Sequence, residues 1–437
     1  MQSSTPPDVQ ARRAFQAFQV MRYGALLLTG AAFAHGGLGT FGIGVYEGLV
    51  FLGSLLSFWW LSGITQGILA TATMSKEGRS SDVFNVFVVL SLAGILLMVL
   101  FRTLITPFTF LTNKPDLLAF YTTYGWYLAL ITPVYLIEQM LLLRKESMGL
   151  IGYGTVAFGS QLVLMALPVF LGHGLGMALQ GLLIATFGRY ALLWVLLARW
   201  AEFRIDTAYL NRFWAHAWPL AVGTLLAGSS EYIDGLIVGR FFDEETFATY
   251  RYGAKELPLS LVLAAAFSNS LVPAVAQRGV GAVAGEVRTS GRRLMHLFFA
   301  VGLVLMMAGP FIYPLAFNAD FSASVPVFCT YLLLIIPRSV FPQTLLIGAG
   351  HGKAIMVSSV IELAVNVGVS LALLPLLGTT GIALGTVMAA ITDKVYSAIR
   401  LRLLCGVRPG NYTDLRVWIL WSLALLAGYA AVMFMLT

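Results

Sequence analysis

The sequence predicts an all-α polytopic membrane protein with two six-helix bundles related by an internal repeat and one extra C-terminal helix. Of its 437 residues, 58% are hydrophobic and 11% are charged, against roughly 25% charged residues in ordinary soluble domains. Apolar runs of about 20 residues, the length that a bilayer requires, recur along the whole chain. Two stretches of the sequence also read almost alike, as in a duplicated transporter.

About thirteen apolar runs are long enough to be membrane spans. They lie near 18–42, 43–71, 83–106, 117–143, 150–171, 176–199, 213–239, 247–276, 293–316, 323–347, 354–376, 380–404 and 416–436. Lipid offers the backbone no hydrogen-bond partners, so each run is predicted to be helical. The prolines in these runs are predicted to kink the helices. Examples are Pro133, Pro168, Pro258, Pro337 and Pro342.

Three sequence landmarks occur in the same order in both halves of the chain. They are LPVFLGHGLGMAL at Leu167–Leu179 with LPLLGTTGIALG at Leu374–Gly385, Gly44-Val45-Tyr46 with Ala248-Thr249-Tyr250, and Arg144-Lys145 with His351-Gly352-Lys353. Three matches at similar spacing indicate two similar bundles. We predict one bundle over residues 1–205, a second over 206–405, and an additional transmembrane helix over 406–437.

The placement of basic residues predicts a cytoplasmic N-terminus and an outer C-terminus. With this orientation, about nineteen of the 27 Lys and Arg residues lie on the cytoplasmic side, as the positive-inside rule requires. They are Arg12, Arg13, Arg22, Lys76, Arg79, Arg144, Lys145, Arg199, Arg204, Arg212, Arg278, Arg288, Arg292, Arg293, Lys353, Arg400, Arg402, Arg408 and Arg416. The net charge of +7 therefore reflects topology, and the short basic loops do not indicate a nucleic-acid partner.

Neither a metal site nor a catalytic site is predicted. The five His residues are scattered over different loops and helix ends, and only Cys329 and Cys405 are present. No His, Cys and carboxylate spacing resembles a metal site. We therefore expect no metal, no cofactor and no enzymatic activity.

Charged residues inside the apolar runs are the candidate functional groups. A charge at the bilayer centre costs about 2.5–3.5 kcal/mol on insertion scales, so each is expected to face a partner or a water-filled cavity. The candidates are the cations Arg338, Lys255, Arg189 and Lys394 and the acids Asp234, Glu231 and Glu362. Glu138, near the cytoplasmic end of its span, fits an interfacial role equally well.

Each candidate also has a purely structural interpretation. Lys255 and Glu256, like Asp393 and Lys394, are adjacent in sequence and are not expected to face each other on a helix. Each of them would then need a partner elsewhere. Asp234 could pair with Arg240.

The motifs of the second half resemble those of a known family. They are Tyr232-Ile233-Asp234-Gly235 followed by Leu236-Ile237-Val238-Gly239-Arg240, then Tyr250 with Gly253-Ala254-Lys255, then Leu271-Val272-Pro273. Together they resemble the polysaccharide-flippase branch, the oligosaccharide and O-antigen exporters, of the multidrug/oligosaccharidyl-lipid/polysaccharide exporter superfamily.

The resemblance implies two six-helix bundles that work by alternating access in the cytoplasmic (inner) membrane. The substrate implied is a polyprenyl-pyrophosphate-linked oligosaccharide for polysaccharide or lipopolysaccharide biosynthesis. The partners implied are membrane lipid and other polysaccharide-assembly proteins. Arg338, Lys255, Arg189 and Lys394 are the cations available for the pyrophosphate.

Three other functions remain open, and one of them, a non-transporting scaffold, would leave the internal duplication and the intramembrane charges without a use. A cation-coupled drug or metabolite antiporter of the same superfamily would use Asp234, Glu231 or Glu362 as its ion site. A membrane glycosyltransferase or polymerase would need a large outer loop with acidic catalytic groups, and the predicted outer loops are short.

Overall fold

A computed structural model of the protein describes residues 7–72, 78–104, 118–254 and 258–436. Over these residues the chain is almost entirely helical, and the one β-bridge joins Ser80 to Ala201. The helices are α1 (Pro7–His35), α2 (Gly39–Thr71), α3 (Ser81–Leu104), α4 (Leu118–Leu143), α5 (Ser147–Phe170), α6 (Gly174–Trp200), α7 (Thr207–Gly228), α8 (Ser230–Phe241), α9 (Glu244–Gly253), α10 (Pro258–Arg278), α11 (Val280–Phe317), α12 (Val325–Leu332), α13 (Ile335–Arg338), α14 (Pro342–Gly348), α15 (Gly352–Cys405), α16 (Pro409–Tyr412) and α17 (Leu415–Leu436). A 3-10 turn, Ala319–Ser324, precedes α12.

The prediction of an all-α membrane protein is confirmed. Within the described ranges, nine helical segments are long and apolar enough to cross a membrane. The predicted span 213–239 is divided into α7 and α8 at Ser229, because the Gly-Ser-Ser sequence there favours helix ends over helix interiors. The count of thirteen spans and the orientation of the termini stay predictions.

The chain divides into two compact units. The first unit contains residues Met1–Gly228 with Phe242–Glu245, and the second contains Ser229–Phe241 with Thr246–Thr437. This division falls one helix later than the predicted bundle boundary at residues 205 and 206. The predicted boundary concerns the sequence repeat, and it stays a prediction.

Helix α1 packs against α5 in the first unit, α3 against α4, and α2 against α7, while α6 contacts both α4 and α5. Glycines allow the close approach of α2 and α7. A Cβ atom on Gly63 would lie 2.6 Å from the Cα of Ala221, and one on Gly67 would lie 3.1 Å from the Cα of Ala217. Small residues at helix contacts are the usual means of packing helices in lipid.

Helix α15 packs against α8, α12 and α14 in the second unit, and α17 packs against α11. Trp418 of α17 donates from its indole Nε1 to the backbone oxygen of Ile336 at 3.0 Å. Trp421 makes a 3.0 Å hydrogen bond to Nδ1 of His296. The additional C-terminal helix is therefore an integral part of the second unit.

The five prolines do not all act as predicted. Pro133 and Pro168 lie inside α4 and α5, as expected. Pro258 and Pro342 are instead the first residues of α10 and α14, and Pro337 lies in the short helix α13. A proline has no N–H to lose at a helix start, and its fixed φ suits that position. The prediction of kinks inside helices is therefore wrong for Pro258 and Pro342, and for Pro337 it stays a prediction.

The two similar sequence stretches both form a turn between helices. Gly172, in the first stretch, has φ 78° and lies between α5 and α6. Gly378, in the second, has φ 56° and ψ −134° and interrupts α15 between the predicted spans 354–376 and 380–404. Glycine adopts such positive φ angles without steric cost. The repeat of the two bundles as wholes stays a prediction.

Candidate functional site

The first unit contains a cavity of about 120 Å³ enclosed by α1, α4, α5 and α6. We call it the arginine cavity. Its walls are Phe18, Arg22, Leu26, Tyr127, Ile131, Val134, Tyr135, Glu138, Tyr153, Phe158, Gln161 and Arg189. A cavity of this size with polar walls can hold several water molecules or a small polar group.

Arg189 of α6 supplies a buried cation to this cavity. Its Nη2 donates to the Gln161 side-chain oxygen at 2.7 Å and to the backbone oxygen of Ala157. Its guanidinium carbon lies 5.6 Å from the centre of the Phe158 ring. The residue is 7% exposed, and its Nε has no hydrogen-bond partner. Across the described part of the chain, no carboxylate pairs with this guanidinium.

Arg22 of α1 supplies the second cation and is already paired. It forms an ion pair with Glu138 of α4. Gln19 lies beside the pair and donates to the Glu138 Oε1 at 3.3 Å. The Arg22 guanidinium carbon also lies 4.9 Å from the centre of the Phe18 ring, close enough for a cation–π contact. With 27% of its side chain exposed, Arg22 is the more accessible of the two arginines.

The local sequence explains why these side chains converge. Gly154 of α5 faces Phe18, and a Cβ there would lie 2.7 Å from the Phe18 ring, so glycine permits α1 to approach α5. Gln161 lies seven residues further along α5, about two helical turns, on the same face as Gly154. Three tyrosines, Tyr127, Tyr135 and Tyr153, also line the cavity.

The arginine cavity has a net positive charge. It holds two guanidinium groups and one carboxylate, and its other polar groups are neutral amide and phenol side chains. A cation in a low-dielectric interior attracts anions more strongly than the same cation in water. Guanidinium forks also match the paired oxygens of phosphate and carboxylate groups. Chemically, the cavity suits an anion.

Asp234 of α8 is the centre of a second polar cluster, in the second unit. The carboxylate is 4% exposed, and its Oδ2 accepts hydrogen bonds from the hydroxyls of Tyr331 and Thr386. The Tyr331 hydroxyl lies 2.7 Å from that of Tyr250. Asn366 extends the cluster, since its Nδ2 lies 3.5 Å from the Thr386 hydroxyl. The suggested pairing of Asp234 with Arg240 is absent, and Arg240 is exposed.

Lys394 is held by neighbours in the second unit. Its Nζ lies 3.1 Å from the Oδ2 of the adjacent Asp393 and also donates to the Gln343 side-chain oxygen. The Nε2 of Gln343 in turn lies 2.8 Å from both Asp393 oxygens. The expectation that Asp393 and Lys394 cannot pair is therefore wrong. The lysine side chain is long and flexible enough to reach the carboxylate of the adjacent residue. Gln343 of α14 makes hydrogen bonds to both Asp393 and Lys394 and so holds them together.

The other predicted site residues are more dispersed. Arg338 is half-buried at the end of α13, and Glu362 is half-buried on α15. Lys255 and its neighbour Glu256 lie outside the described residues, as does the side chain of Glu231. The expectation that Arg338 and Lys255 are available to the pyrophosphate therefore stays a prediction.

Two charged residues of the arginine cavity, Arg22 and Glu138, were not among the sequence-predicted site residues. Arg22 was grouped with the basic residues of the cytoplasmic side, but it lies within α1 against Phe18 and Glu138. Glu138 is 4% exposed and is not a surface group. A signal was present in the sequence, since Arg22 is nine residues beyond Arg13 and already inside the first apolar run.

Comparisons with known proteins identify the family. The family model described as "Polysaccharide biosynthesis protein" matches residues 41–326. No curated protein matches the sequence. The fold is similar to that of the lipid II flippase MurJ in an inward closed conformation, with a TM-score of 0.63 at 13% identity, covering 96% of this chain and 98% of that chain.

Two transporters are similar in fold as well. A mutant of the Vibrio cholerae MATE transporter VcmN has a TM-score of 0.54 at 17% identity, covering 91% of this chain and 98% of that one. A MOP superfamily transporter from Pyrococcus furiosus, whose binding pocket is described as having reverse polarity, has a TM-score of 0.55 at 15% identity, covering 91% and 96% of the two chains. The three structures are of a flippase and of transporters, and their folds confirm the resemblance seen in the sequence. The chain therefore belongs to the polysaccharide biosynthesis protein family and has the flippase-type fold of the MOP superfamily.

Proposed function

We propose that the protein is an alternating-access flippase that moves a polyprenyl-pyrophosphate-linked oligosaccharide from the inner to the outer leaflet of the cytoplasmic membrane. The N-terminus would be cytoplasmic and the C-terminus outside. The family description concerns polysaccharide biosynthesis, and one protein of similar fold is a lipid II flippase. Both support a lipid-linked substrate.

The arginine cavity is the observation that carries this proposal. A pyrophosphate diester is a double anion, and the cavity offers an unpaired guanidinium on Arg189 with a second guanidinium on Arg22. Its volume of about 120 Å³ suits the phosphate groups and not a whole oligosaccharide. The sugar chain and the lipid tail would therefore lie outside the cavity.

The position of the cavity fits loading from the cytoplasm. With the proposed orientation, α4 and α6 end on the cytoplasmic side at Leu143 and Trp200. Glu138 and Arg189 lie five and eleven residues before these ends, or about 8 Å and 16 Å at 1.5 Å per residue. An inside-negative potential then favours outward movement of the anion by about 2.3 kcal/mol per charge per 100 mV.

Arg338, Lys255 and Lys394 remain proposed contacts of the substrate, alongside Arg189. Of these, Lys394 would first have to leave Asp393 and Gln343. Arg189 is therefore the cation on which the proposal depends most directly.

A cation-coupled antiporter is the second candidate, and the Asp234 cluster favours it. Asp234 is a buried carboxylate surrounded by hydroxyl groups, and a proton or a small cation would compensate its charge there. The same site could couple an ion to the flippase, with Glu231 and Glu362 as the other proposed coupling residues. A cationic drug, however, would be repelled by the net positive arginine cavity.

The test is export of lipid-linked glycan in cells that lack the native protein. Arg189→Ala should lower export about ten- to a hundredfold, because a hydrogen bond to a charged group contributes about 1.5–3 kcal/mol. Arg189→Lys should restore it partly, since lysine keeps the charge and loses the fork. Arg199→Ala is the matched control, because Arg199 is an exposed arginine of the same helix. Full export by Arg189→Ala at a normal protein level would refute the proposed role of the cavity.

A further inference from the structure

The net positive charge of the arginine cavity is too small to neutralise the two negative charges of the proposed substrate. The inference rests on the proposed function. A pyrophosphate that joins a lipid to a sugar is a diester with two negative charges, and neither phosphate has a further proton to lose near neutral pH. The side chains of the cavity carry one net positive charge, from two guanidinium groups and one carboxylate.

The ion pair of Arg22 with Glu138 makes the excess of negative charge more costly once the substrate is bound. Glu138 accepts from Nη2 of Arg22, so a phosphate that binds the fork formed by both Nη groups of Arg22 takes the place of the carboxylate. Glu138 is 4% exposed and would then lie, without its cation, beside a double anion. A buried carboxylate next to other negative charges is strongly disfavoured in its ionised form.

Besides Arg22, the cavity lining offers Glu138 one other cation, Arg189, which the second phosphate of the substrate would occupy. Gln19 and Arg22 approach it from α1, Tyr135 and Tyr127 lie on its own helix, Tyr153 and Gln161 come from α5, and Arg189 comes from α6. Arg189 is anchored on Gln161 and the Ala157 carbonyl. Helices α2 and α3 also pack against α4, yet none of their described residues lines the cavity.

We propose that Glu138 takes up one proton when the cavity binds the diphosphate. The Arg22–Glu138 ion pair breaks, Arg22 pairs with a phosphate oxygen, and a proton from water converts the Glu138 carboxylate to the neutral acid. The filled cavity then holds two positive and two negative charges. Substrate binding and proton binding are thereby linked, so each strengthens the other. The loaded cavity also carries one negative charge fewer than it would without the proton.

The experiment counts the protons taken up on binding by the purified full-length protein in lipid nanodiscs. The probe is a synthetic citronellyl diphosphate linked to one N-acetylglucosamine. Isothermal titration calorimetry in buffers of different ionisation enthalpy gives the number of protons taken up per ligand. We expect about one for the wild type at pH 7.5, and a Kd that rises between pH 6 and pH 8.

Glu138→Gln is the decisive variant, because its amide imitates the neutral acid. It should bind the probe with no proton uptake, with a Kd independent of pH between 6 and 8, and at least as tightly as the wild type at pH 8. The matched control is Glu286→Gln, which removes an exposed acid paired with Arg278 in the second unit. This control should take up the same proton as the wild type.

The outcomes separate this inference from the proposed function. Tight binding by the wild type without proton uptake, or an unchanged proton count in Glu138→Gln, would overturn the role of Glu138 alone. Absence of probe binding at every pH from 6 to 8, or equal binding by wild type and Arg189→Ala, would overturn the proposed function and this inference with it.

Discussion

Arg189 donates a 2.7 Å hydrogen bond to the side-chain oxygen of Gln161, a neutral acceptor, where a carboxylate would complete an ion pair. The two residues lie on neighbouring helices, α6 and α5, and both are buried. The amide thus holds the guanidinium in place without cancelling its charge. A buried cation kept in this way is costly unless water or an anion reaches it.

The choice of glutamine over glutamate leads to the first prediction. Gln161→Glu should nearly abolish glycan export, because the new carboxylate pairs with Arg189 and removes the positive charge that attracts the substrate. Gln161→Leu is the matched control, since it removes the hydrogen bond and leaves the charge. Gln161→Leu should reduce export about tenfold or less, because it removes the free energy of only one hydrogen bond to a charged group. Export in Gln161→Glu equal to that in Gln161→Leu would contradict the electrostatic account.

The second prediction concerns the Asp234 cluster. Asp234→Asn should reduce export less than Arg189→Ala does, because the amide oxygen can still accept from Tyr331 and Thr386 while only the coupling charge is lost. Collapse of the proton or sodium gradient should reduce the residual export of this variant by a smaller factor than it reduces export by the wild type. Asp320→Asn, which alters an exposed acid of the same unit, is the control.

A reversed order of severity would favour the antiporter. If Asp234→Asn stops transport while Arg189→Ala leaves it intact, the acid is the principal ion site and the cationic cavity is not the substrate site. Protein abundance must be equal in both strains, since either residue is buried.

The sequence was sufficient to predict an all-helical membrane protein and one charged residue of the cavity. Arg189 was predicted because a single charge in a long apolar run is conspicuous. Arg22 was missed because it follows Arg12 and Arg13 and so looked like part of a basic cytoplasmic segment. Its partner Glu138 is 116 residues away, and a single sequence contains no signal for such a pairing.

The pairing of Lys394 was mispredicted for a different reason. Adjacent residues on a helix point in different directions, and that rule holds for short side chains. Lysine has a long flexible stem, and Gln343 from another helix contacts both Lys394 and Asp393. The position of that glutamine depends on the tertiary fold.

The third prediction tests the packing of α2 on α7. Gly63→Ala should destabilise the protein by about 1–3 kcal/mol, the usual cost of overpacking, because the new methyl would lie 2.6 Å from the Cα of Ala221. Gly152→Ala is the control, since no atom lies within 4 Å of its added Cβ. The measurement is the midpoint of thermal unfolding in detergent. A midpoint for Gly63→Ala equal to that of Gly152→Ala would show that the two helices do not pack this closely.

The fourth prediction concerns topology. Thirteen spans with the N-terminus in the cytoplasm place Thr437 outside, because Arg400, Arg402, Arg408 and Arg416 hold the segment before the last helix in the cytoplasm. A fluorescent reporter that matures only in the cytoplasm should be dark when fused after Thr437, and alkaline phosphatase at the same position should be active. The same pair of reporters inserted after Lys145, in a predicted cytoplasmic loop, should give the opposite pattern. Bright fluorescence from the Thr437 fusion, with the expected pattern at Lys145, would rule out thirteen spans with a cytoplasmic N-terminus.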